Sequence, residues 1–335
     1  MTWGETLGRL RPETVSAAAI RWGTGPVTLV NPGFNYVYRA EDSAGPLYLR
    51  FTHVALRNAE YLGPPLQWLR FLHTQGAPVN EPLPSLDGCW TEAVTQEDDL
   101  FLATAVRGVV GPRLSGLPPG PRLYQAFGRS IGQLHAASLR FMPEPSTPPM
   151  LGPALLGVFP SWRLFWHGAR EHALKEPVIA ATFGALTPWV DAVGGPARGW
   201  PDDSASATDG LGLTHGDLRP GNAIWDGERV VIIDFDEPVY GPLATDLARA
   251  VMEIPRGQRA ALWAAVLTGY REVLPLGPAW DRELPRLLRS RAALMAAWNI
   301  SGGADLTDVR PISGTLAPVS LWRLREHLLN GEYDG

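Results

Sequence analysis

One stretch of the chain restricts its fold more than any other, residues 211–236, which read LGLTHGDLRPGNAIWDGERVVIIDFD. It contains the tripeptide His-Gly-Asp ending at Asp217, and Asn222 follows five positions later. A tight Asp-Gly turn then separates two short apolar segments, and Asp234 stands at the end of the second. Because two strands joined by a tight turn form a hairpin, Asn222 and Asp234 are expected to lie close together.

These residue types at this spacing are suited to phosphoryl transfer. That reaction asks a protein mainly to position the reactants and to neutralise charge. We expect Asp217 to accept or orient the proton of an attacking hydroxyl. Asn222 and Asp234 would supply the hard oxygen ligands that Mg²⁺ prefers. A catalytic Asp, an Asn five positions later and a strand-end Asp are the arrangement of kinases, so the stretch predicts an ATP- and Mg²⁺-dependent phosphotransferase.

The remaining periodicity predicts two unequal parts. Period-two patterns favour strands at 27–30, 35–40, 46–52, 91–94 and 99–106. A helical pattern lies near 65–75, with Pro64 and Pro65 suited to its first turn. Beyond a Gly/Pro-rich stretch at 107–121, helical patterns cover 121–139, 161–175, 177–193, 243–253, 258–274, 282–299 and 319–330. Short strands interrupt them at 211–214, 223–226 and 230–234. We therefore predict an α+β protein with a small antiparallel-sheet N-terminal lobe, residues 1–106, and a mainly helical C-terminal lobe, residues 107–335.

Composition excludes several classes of protein. Hydrophobic residues make up 45% and charged residues 19%, which is unlike a disordered chain. The net charge of −5 argues against a nucleic-acid partner, and the apolar segments fall short of the ~18 residues that span a membrane. The N-terminus lacks the apolar segment of a signal peptide, and the single cysteine, Cys89, fits a reducing cytosol. We expect a cytoplasmic protein, with its oligomeric state left open.

The block HGDLRPGN…VVIIDFD…DLA resembles the aminoglycoside phosphotransferase and choline kinase family, which shares the protein-kinase fold. NPGFNYVYRA and PLYLRFT are similar to its first strands, and WLRFLHTQGAPVNEPLPS to its helix and following strand. IGQLHA at 131–136 is similar to the helix before the substrate region. The similarity covers most of residues 27–254. It implies a two-lobed kinase-like fold and an aminoglycoside-, choline- or homoserine-like hydroxyl acceptor. It also implies that His215 braces the catalytic loop, and that Asp246 braces it from the following helix.

The nucleotide-binding residues depart from the family pattern. The basic residue on the third strand is Arg50 instead of lysine; a guanidinium still clamps phosphate oxygens, although a solvated face is the alternative. Tyr48 shares its face of the strand, where the resemblance implies the adenine. Gly33 and Asn35 would turn over the phosphates, yet the loop has a single glycine and an ordinary hairpin is the alternative.

Two further departures concern charge near the metal. The helix glutamate that should pair with the strand's basic residue is replaced by Pro65, with Glu60 and Gln67 as candidate substitutes. The residue after Asp-Phe is Asp236 instead of glycine, and Glu237 follows. These two carboxylates would hold a second ion, meet a cationic substrate or begin a solvated loop.

Two alternatives to a small-molecule kinase remain open. A protein Ser/Thr kinase needs a long activation segment, and the nine residues between Asp236 and Asp246 disfavour it. A nucleotide-binding protein that has lost catalysis is favoured by Arg50 and by the missing helix glutamate. It is opposed by the intact Asp217 and its two downstream oxygen ligands.

Overall fold

The computed structural model describes residues 6, 8–32, 35–143, 159, 161–194, 210–301 and 321–334. An antiparallel sheet occupies the N-terminal part. Its strands are β1 (Thr28–Pro32), β2 (Tyr36–Asp42), β3 (Gly45–His53), β4 (Pro82–Leu83), β5 (Glu92–Gln96) and β6 (Asp99–Arg107). Their order is β1-β2-β3-β6-β4, and β5 also pairs with β6.

Strand β3 has one face that is buried in the N-terminal core and one face that is half-buried and turned toward the C-terminal part. Leu47, Leu49 and Phe51 are fully buried, whereas Tyr48 and Arg50 between them are half-buried. This is the alternation that the sequence predicted. The buried set packs with Val15 and its neighbours on helix α1 (Pro12–Ala19), an element that the sequence analysis missed because it is only two turns long.

Helix α2 (Ala59–Thr74) begins earlier than the pattern near 65–75 predicted. Asn58 caps it, because its Oδ1 accepts a hydrogen bond of 3.0 Å from the Tyr61 N–H. Pro64 and Pro65 therefore lie inside the helix, in its second turn, and both are buried. The expectation that they occupy the first turn was wrong: an Asn at a strong capping position fixed the start instead.

The C-terminal part is mainly helical, as predicted. Its helices are α3 (Pro121–Ser138), α4 (Trp162–Ala173), α5 (Pro177–Val193), α6 (Ala244–Val251), α7 (Arg256–Arg271), α8 (Leu284–Ser301) and α9 (Leu321–Leu329). In the described ranges, no helix has both the length and the apolar character needed to cross a membrane. Strand β6 ends at Arg107, beside the boundary that we predicted between residues 106 and 107.

Two small hairpins sit among these helices. One pairs β8 (Ala223–Trp225) with β9 (Val230–Ile232), as the Asp-Gly turn predicted. The other pairs β7 (Leu211–Thr214) with β10 (Val239–Pro242), also antiparallel. Strand β10 was not predicted, because its Pro and Gly residues are typical of a loop. Together the hairpins confirm a strand-rich lobe followed by a helical lobe that carries a small cluster of strands.

Helices α3 and α7 approach so closely that only glycine fits at two contacts. A Cβ at Gly269 would stand 1.8 Å from the Gln125 carbonyl oxygen, and one at Gly128 would stand 2.0 Å from that of Val266. These are backbone atoms, so neither clash is relieved by rotating a side chain. The close approach of α3 fixes His135 against α7, which matters for the site described below.

We expect Gly128→Ala to lower the free energy of unfolding by roughly 1–3 kcal/mol, because the added methyl overpacks the α3–α7 contact. The matched control is Gly184→Ala at an exposed position of helix α5, where a Cβ meets nothing within 4 Å. That change should be neutral, or stabilising by up to about 1 kcal/mol, since alanine favours helix over glycine. Urea unfolding measures both; equal effects at the two positions would contradict the packing argument.

Candidate active site

The loop that carries Asp217 is held by one buried carboxylate, that of Asp246 on α6. Its Oδ2 accepts from the His215 N–H at 2.6 Å, and its Oδ1 from the Gly216 N–H at 3.0 Å. His135 of α3 lies 3.1 Å from Oδ2, and its other ring nitrogen lies 3.1 Å from the Tyr270 hydroxyl of α7. The Asp246 side chain is 1% exposed. Burial raises the pKa of this carboxyl, but the hydrogen bond and charge of His135 outweigh it, so the pKa lies below its usual range.

His215 joins the loop to the strand that ends at Asp234. Its Nε2 donates to the Ile233 carbonyl oxygen at 3.0 Å, and its Nδ1 accepts from the Asp217 N–H at 3.3 Å. The ring is fully buried, with its centroid 4.7 Å from that of Phe235. These contacts support the bracing role that the resemblance implies.

The glycine of His-Gly-Asp is required by geometry. Gly216 has φ +83°, in the left-handed region that favours glycine. A Cβ there would also stand 1.9 Å from the Glu237 carbonyl oxygen. The loop therefore runs directly against the segment that follows Asp234, which brings both ends of the predicted site together.

Three guanidinium groups surround the Asp217 carboxylate. Arg249 Nε donates to Oδ1 at 2.9 Å, Arg291 Nη2 to Oδ1 at 3.3 Å, and Arg219 Nε lies 3.4 Å from Oδ2. Burial raises the pKa of Asp217, but these charges lower it well below its usual range. The carboxylate is thus ionised at neutral pH and is a weak base, better suited to orienting a hydroxyl than to deprotonating it early.

None of these three arginines was singled out by the sequence analysis, although Arg219 lies within the block HGDLRPGN. Arg249 stands three residues after Asp246 in TDLARA, and residues at that spacing share a helix face, so the signal was present. Arg291 comes from α8, 74 residues beyond Asp217, and no local pattern marks it.

Asn222 and Asp234 lie together as the hairpin predicted. The Ile233 N–H donates to the Asn222 carbonyl oxygen at 3.0 Å, which ties the two arms. Asn222 Nδ2 donates to the Asp217 backbone oxygen at 2.9 Å and to its Oδ2 at 3.2 Å. Both bonds use Nδ2, so Oδ1 is the amide atom suited to a cation. Asp234 follows β9 in the left-handed conformation, with φ +75°.

The donors at this point fit Mg²⁺ and do not form an all-protein metal cage. Across the described residues, no group of three or more His, Cys, Asp or Glu side chains is arranged to hold a metal ion. One amide oxygen and one carboxylate would leave the remaining positions of a bound ion to water and phosphate. That division is typical of Mg²⁺ in phosphotransferases, because this ion keeps several waters.

Arg50 reaches from β3 to the same place and does not lie on a solvated face. Its guanidinium donates to both Asp234 and Asp236. Asp236 Oδ2 also accepts from Arg57 at 2.6 Å and from Asn35 Nδ2 at 2.8 Å. Arg50 and Asn35, both predicted to bind nucleotide, are therefore brought next to Asp236, two residues after the predicted metal ligand Asp234.

The two carboxylates after Phe235 differ in their surroundings, since Asp236 pairs with residues of the protein itself and Glu237 stays half-exposed. Asp236, 17% exposed, meets arginines of the N-terminal lobe. Burial raises its pKa, but the charges of Arg50 and Arg57 outweigh it and lower the pKa. Glu237 is 53% exposed and lies 3.7 Å from Arg57. Sequence reasoning missed Arg57, which precedes helix α2.

The other predicted nucleotide residues are placed as follows. The Asn35 side chain is buried and is engaged on both sides, since its Oδ1 accepts from Thr52 at 2.5 Å. Gly33 lies outside the described residues. Tyr48, on the strand face where the resemblance implies the adenine, lies against Gly108: a Cβ at Gly108 would stand 3.0 Å from its ring. Gly108 directly follows β6.

The depressed pKa of Asp246 predicts a pH dependence of stability. A carboxyl whose folded pKa is lowered stabilises the protein above its unfolded pKa of about 3.9, and this contribution is lost as pH falls through the folded pKa. The free energy of unfolding should therefore decrease from about pH 5 to about pH 3. Asp246→Asn should be less stable at neutral pH and should show a shallower decrease. Urea titrations across that range provide the measurement, and an unchanged slope in the variant would contradict the assignment.

Comparison with known proteins places this geometry in a family. The model of the phosphotransferase enzyme family (APH) matches residues 28–285. The chain is 26% identical over 296 residues to the amicoumacin kinase of Bacillus subtilis (strain 168), covering 84% of this chain and 83% of that protein.

Solved structures agree on the fold. An amicoumacin kinase in complex with AMP-PNP, Ca²⁺ and Ami aligns with a TM-score of 0.76 at 21% identity, covering 98% of this chain and 96% of the other. A microcompartment-associated aminopropanol kinase aligns with a TM-score of 0.69 at 20% identity, covering 95% and 94%. The protein-kinase-like fold predicted from the sequence is confirmed. The chain belongs to the aminoglycoside phosphotransferase family and is a kinase.

Proposed function

We propose that this kinase transfers the γ-phosphate of ATP to a hydroxyl group of a small molecule, with Mg²⁺ as the metal. The observation that carries the proposal is the convergence of Asp217, Asn222 and Asp234, from the loop and the hairpin that follows it. The relatives that are named kinases of amicoumacin and aminopropanol support a small-molecule acceptor. The solved relative with AMP-PNP and Ca²⁺ supports a nucleotide donor and a divalent metal.

Each residue has a defined part in this reaction. Asn222 and Asp234 would hold Mg²⁺, which when bound neutralises phosphate charge. Asp217 orients the acceptor hydroxyl, whose oxygen forms the new bond to phosphorus as the bond to the β-phosphate oxygen breaks. Because the pKa of Asp217 is depressed, we expect the hydroxyl proton to pass to the Asp217 carboxylate late in the reaction. Arg219, beside Asp217, adds positive charge close to the transferred group.

The acceptors predicted from the sequence share a cationic nitrogen near the hydroxyl. Glu237 suits such a group, because its half-exposed carboxylate follows Asp236 at the edge of the site. We therefore propose amino alcohols as the first acceptors to test. The cytoplasmic location and the lack of a nucleic-acid partner stay predictions from the sequence.

The segment between Asp236 and Asp246 bears on the protein-kinase alternative. Four of its residues form β10, which pairs along its whole length with β7. Helix α6 begins two residues after β10 ends. Because this segment is paired in β10 and leads directly into α6, it does not form a long activation loop that could bind a protein substrate. This favours a small acceptor.

Turnover with Mg²⁺–ATP across a panel of amino alcohols, aminoglycosides and hydroxy amino acids tests the proposal. We expect ADP formation that depends on one acceptor class and on the metal. A thermal-shift titration with AMP-PNP and Mg²⁺ runs beside it. Nucleotide binding without turnover on any acceptor would instead favour a protein that has lost catalysis.

We expect Asp217→Asn to lower kcat by at least about a hundredfold, because the amide cannot accept the hydroxyl proton. The affinity for ATP should stay within a few-fold, since Asp217 faces the acceptor. The control is Asp281→Asn, which removes an exposed carboxylate paired with Arg271. It should leave kcat unchanged. A folded Asp217→Asn protein with wild-type turnover would remove Asp217 from the mechanism.

Asp234→Asn should abolish turnover and weaken Mg²⁺-dependent nucleotide binding, because the strand-end carboxylate is lost. The fold should survive, since asparagine tolerates the left-handed backbone at φ +75° as aspartate does. Asp234→Ala should lose the same activity and also be less stable than Asp234→Asn, because alanine is strained there. Activity assays and melting temperatures on both variants separate the metal role from the backbone role. Retained activity in either variant would show that the metal assignment is wrong.

A further inference from the structure

The helix that should supply a partner for Arg50 has none at the expected place. In the kinase arrangement, a glutamate on the helix pairs with the basic residue of the third strand. Here that position is Pro65, buried within α2 and without a carboxylate. Of the candidate substitutes, Glu60 is exposed. The structure pairs the Arg50 guanidinium with Asp234 and Asp236 instead.

The two carboxylates bind Arg50 in different ways. Asp236 uses both oxygens within the protein: Oδ1 accepts from Arg50, and Oδ2 accepts from Arg57 and Asn35 at 2.6 and 2.8 Å. Every one of these donors belongs to the N-terminal lobe, whereas Asp236 belongs to the C-terminal lobe. Asn35 is itself held by Thr52, two residues from Arg50 on β3. Asp236 is thus fixed from several directions.

Asp234 is held much more loosely. Its side chain is 39% exposed, against 17% for Asp236. Among the described residues, Arg50 is its one hydrogen-bond partner, through Oδ1. A guanidinium offers five N–H groups in a planar fork, so one arm of Arg50 can change partner while the other stays bound.

We propose that Asp236 replaces the missing helix glutamate: it anchors Arg50 across the two lobes, so that Arg50 exchanges Asp234 for nucleotide phosphate. This inference rests on the proposed function. One arm of Arg50, Nη1, stays on Asp236. The other arm, Nη2, leaves the Asp234 carboxylate to bind a phosphate oxygen. Asp236 is then a positioning residue that acts through Arg50, and it is not a second metal ligand.

A double-mutant cycle tests this with Arg50→Gln, Asp236→Asn and the double variant. Calorimetry measures the affinity for AMP-PNP with Mg²⁺, and for adenosine, which has no phosphate. We expect Asp236→Asn to weaken AMP-PNP binding about tenfold and to leave adenosine binding unchanged. In the Arg50→Gln background, Asp236→Asn should cause almost no further loss, because the residue it positions is absent. Asp42→Asn, which removes an ion pair with Arg107 on the same sheet, should change neither affinity.

Additive losses in the cycle would overturn the inference. So would a higher Mg²⁺ requirement for Asp236→Asn in both backgrounds, which would make Asp236 a metal ligand. A wild-type protein that binds no nucleotide would instead overturn the proposed function itself, so the two failures are distinguishable.

A crystal structure of the wild-type protein with AMP-PNP and Mg²⁺ gives a test that does not depend on variants folding. We expect Arg50 to contact Asp236 and a phosphate oxygen, and to have left Asp234. Asp236 at about 2.1 Å from the metal, or Arg50 still on Asp234, would overturn the inference.

Discussion

The buried carboxylate of Asp246 is the interaction on which the rest of the site depends. An ionised group taken out of water is costly unless its oxygens are fully hydrogen-bonded. Here the partners are two backbone N–H groups of the catalytic loop and the ring of His135. The loop is thereby bound to α6 and α3 at once. His135 is in turn fixed against α7 by the glycine contacts between α3 and α7, so the position of Asp217 traces back to helix packing.

From that fixed loop, charge is arranged in two separate sets. Arg249, Arg291 and Arg219 surround Asp217, while Arg50 and Arg57 face Asp236. The first set keeps the Asp217 carboxylate ionised at the proposed acceptor position. The second set joins the lobes at the proposed phosphate position. Groups oriented before the reaction need not reorganise during it, which is how electrostatic stabilisation lowers a barrier.

Local patterns in the sequence predicted much of this arrangement, for a physical reason. A hairpin closed by a tight turn fixes its own register, so the spacing of Asn222 and Asp234 was enough to bring them together. Alternation along β3 likewise predicted that Arg50 and Tyr48 lie on the same face of the strand. The roles of Arg291 and Asp236 were not predictable in this way, because both depend on elements far apart in the chain. The predicted start of α2 was wrong, because the prediction relied on the proline pair and did not consider Asn58 as the cap.

The left-handed backbone at Asp234 links chemistry to folding. In the proposed mechanism the residue there offers a carboxylate, and it must also accept φ +75°, a combination that few side chains provide. Most substitutions that remove the carboxylate would also strain the backbone that follows β9, beside the ring of His215. Substitutions at this position would therefore lower the amount of folded protein together with its activity. A lineage that abandoned catalysis while keeping the fold would be expected to pass through asparagine or glycine at this position.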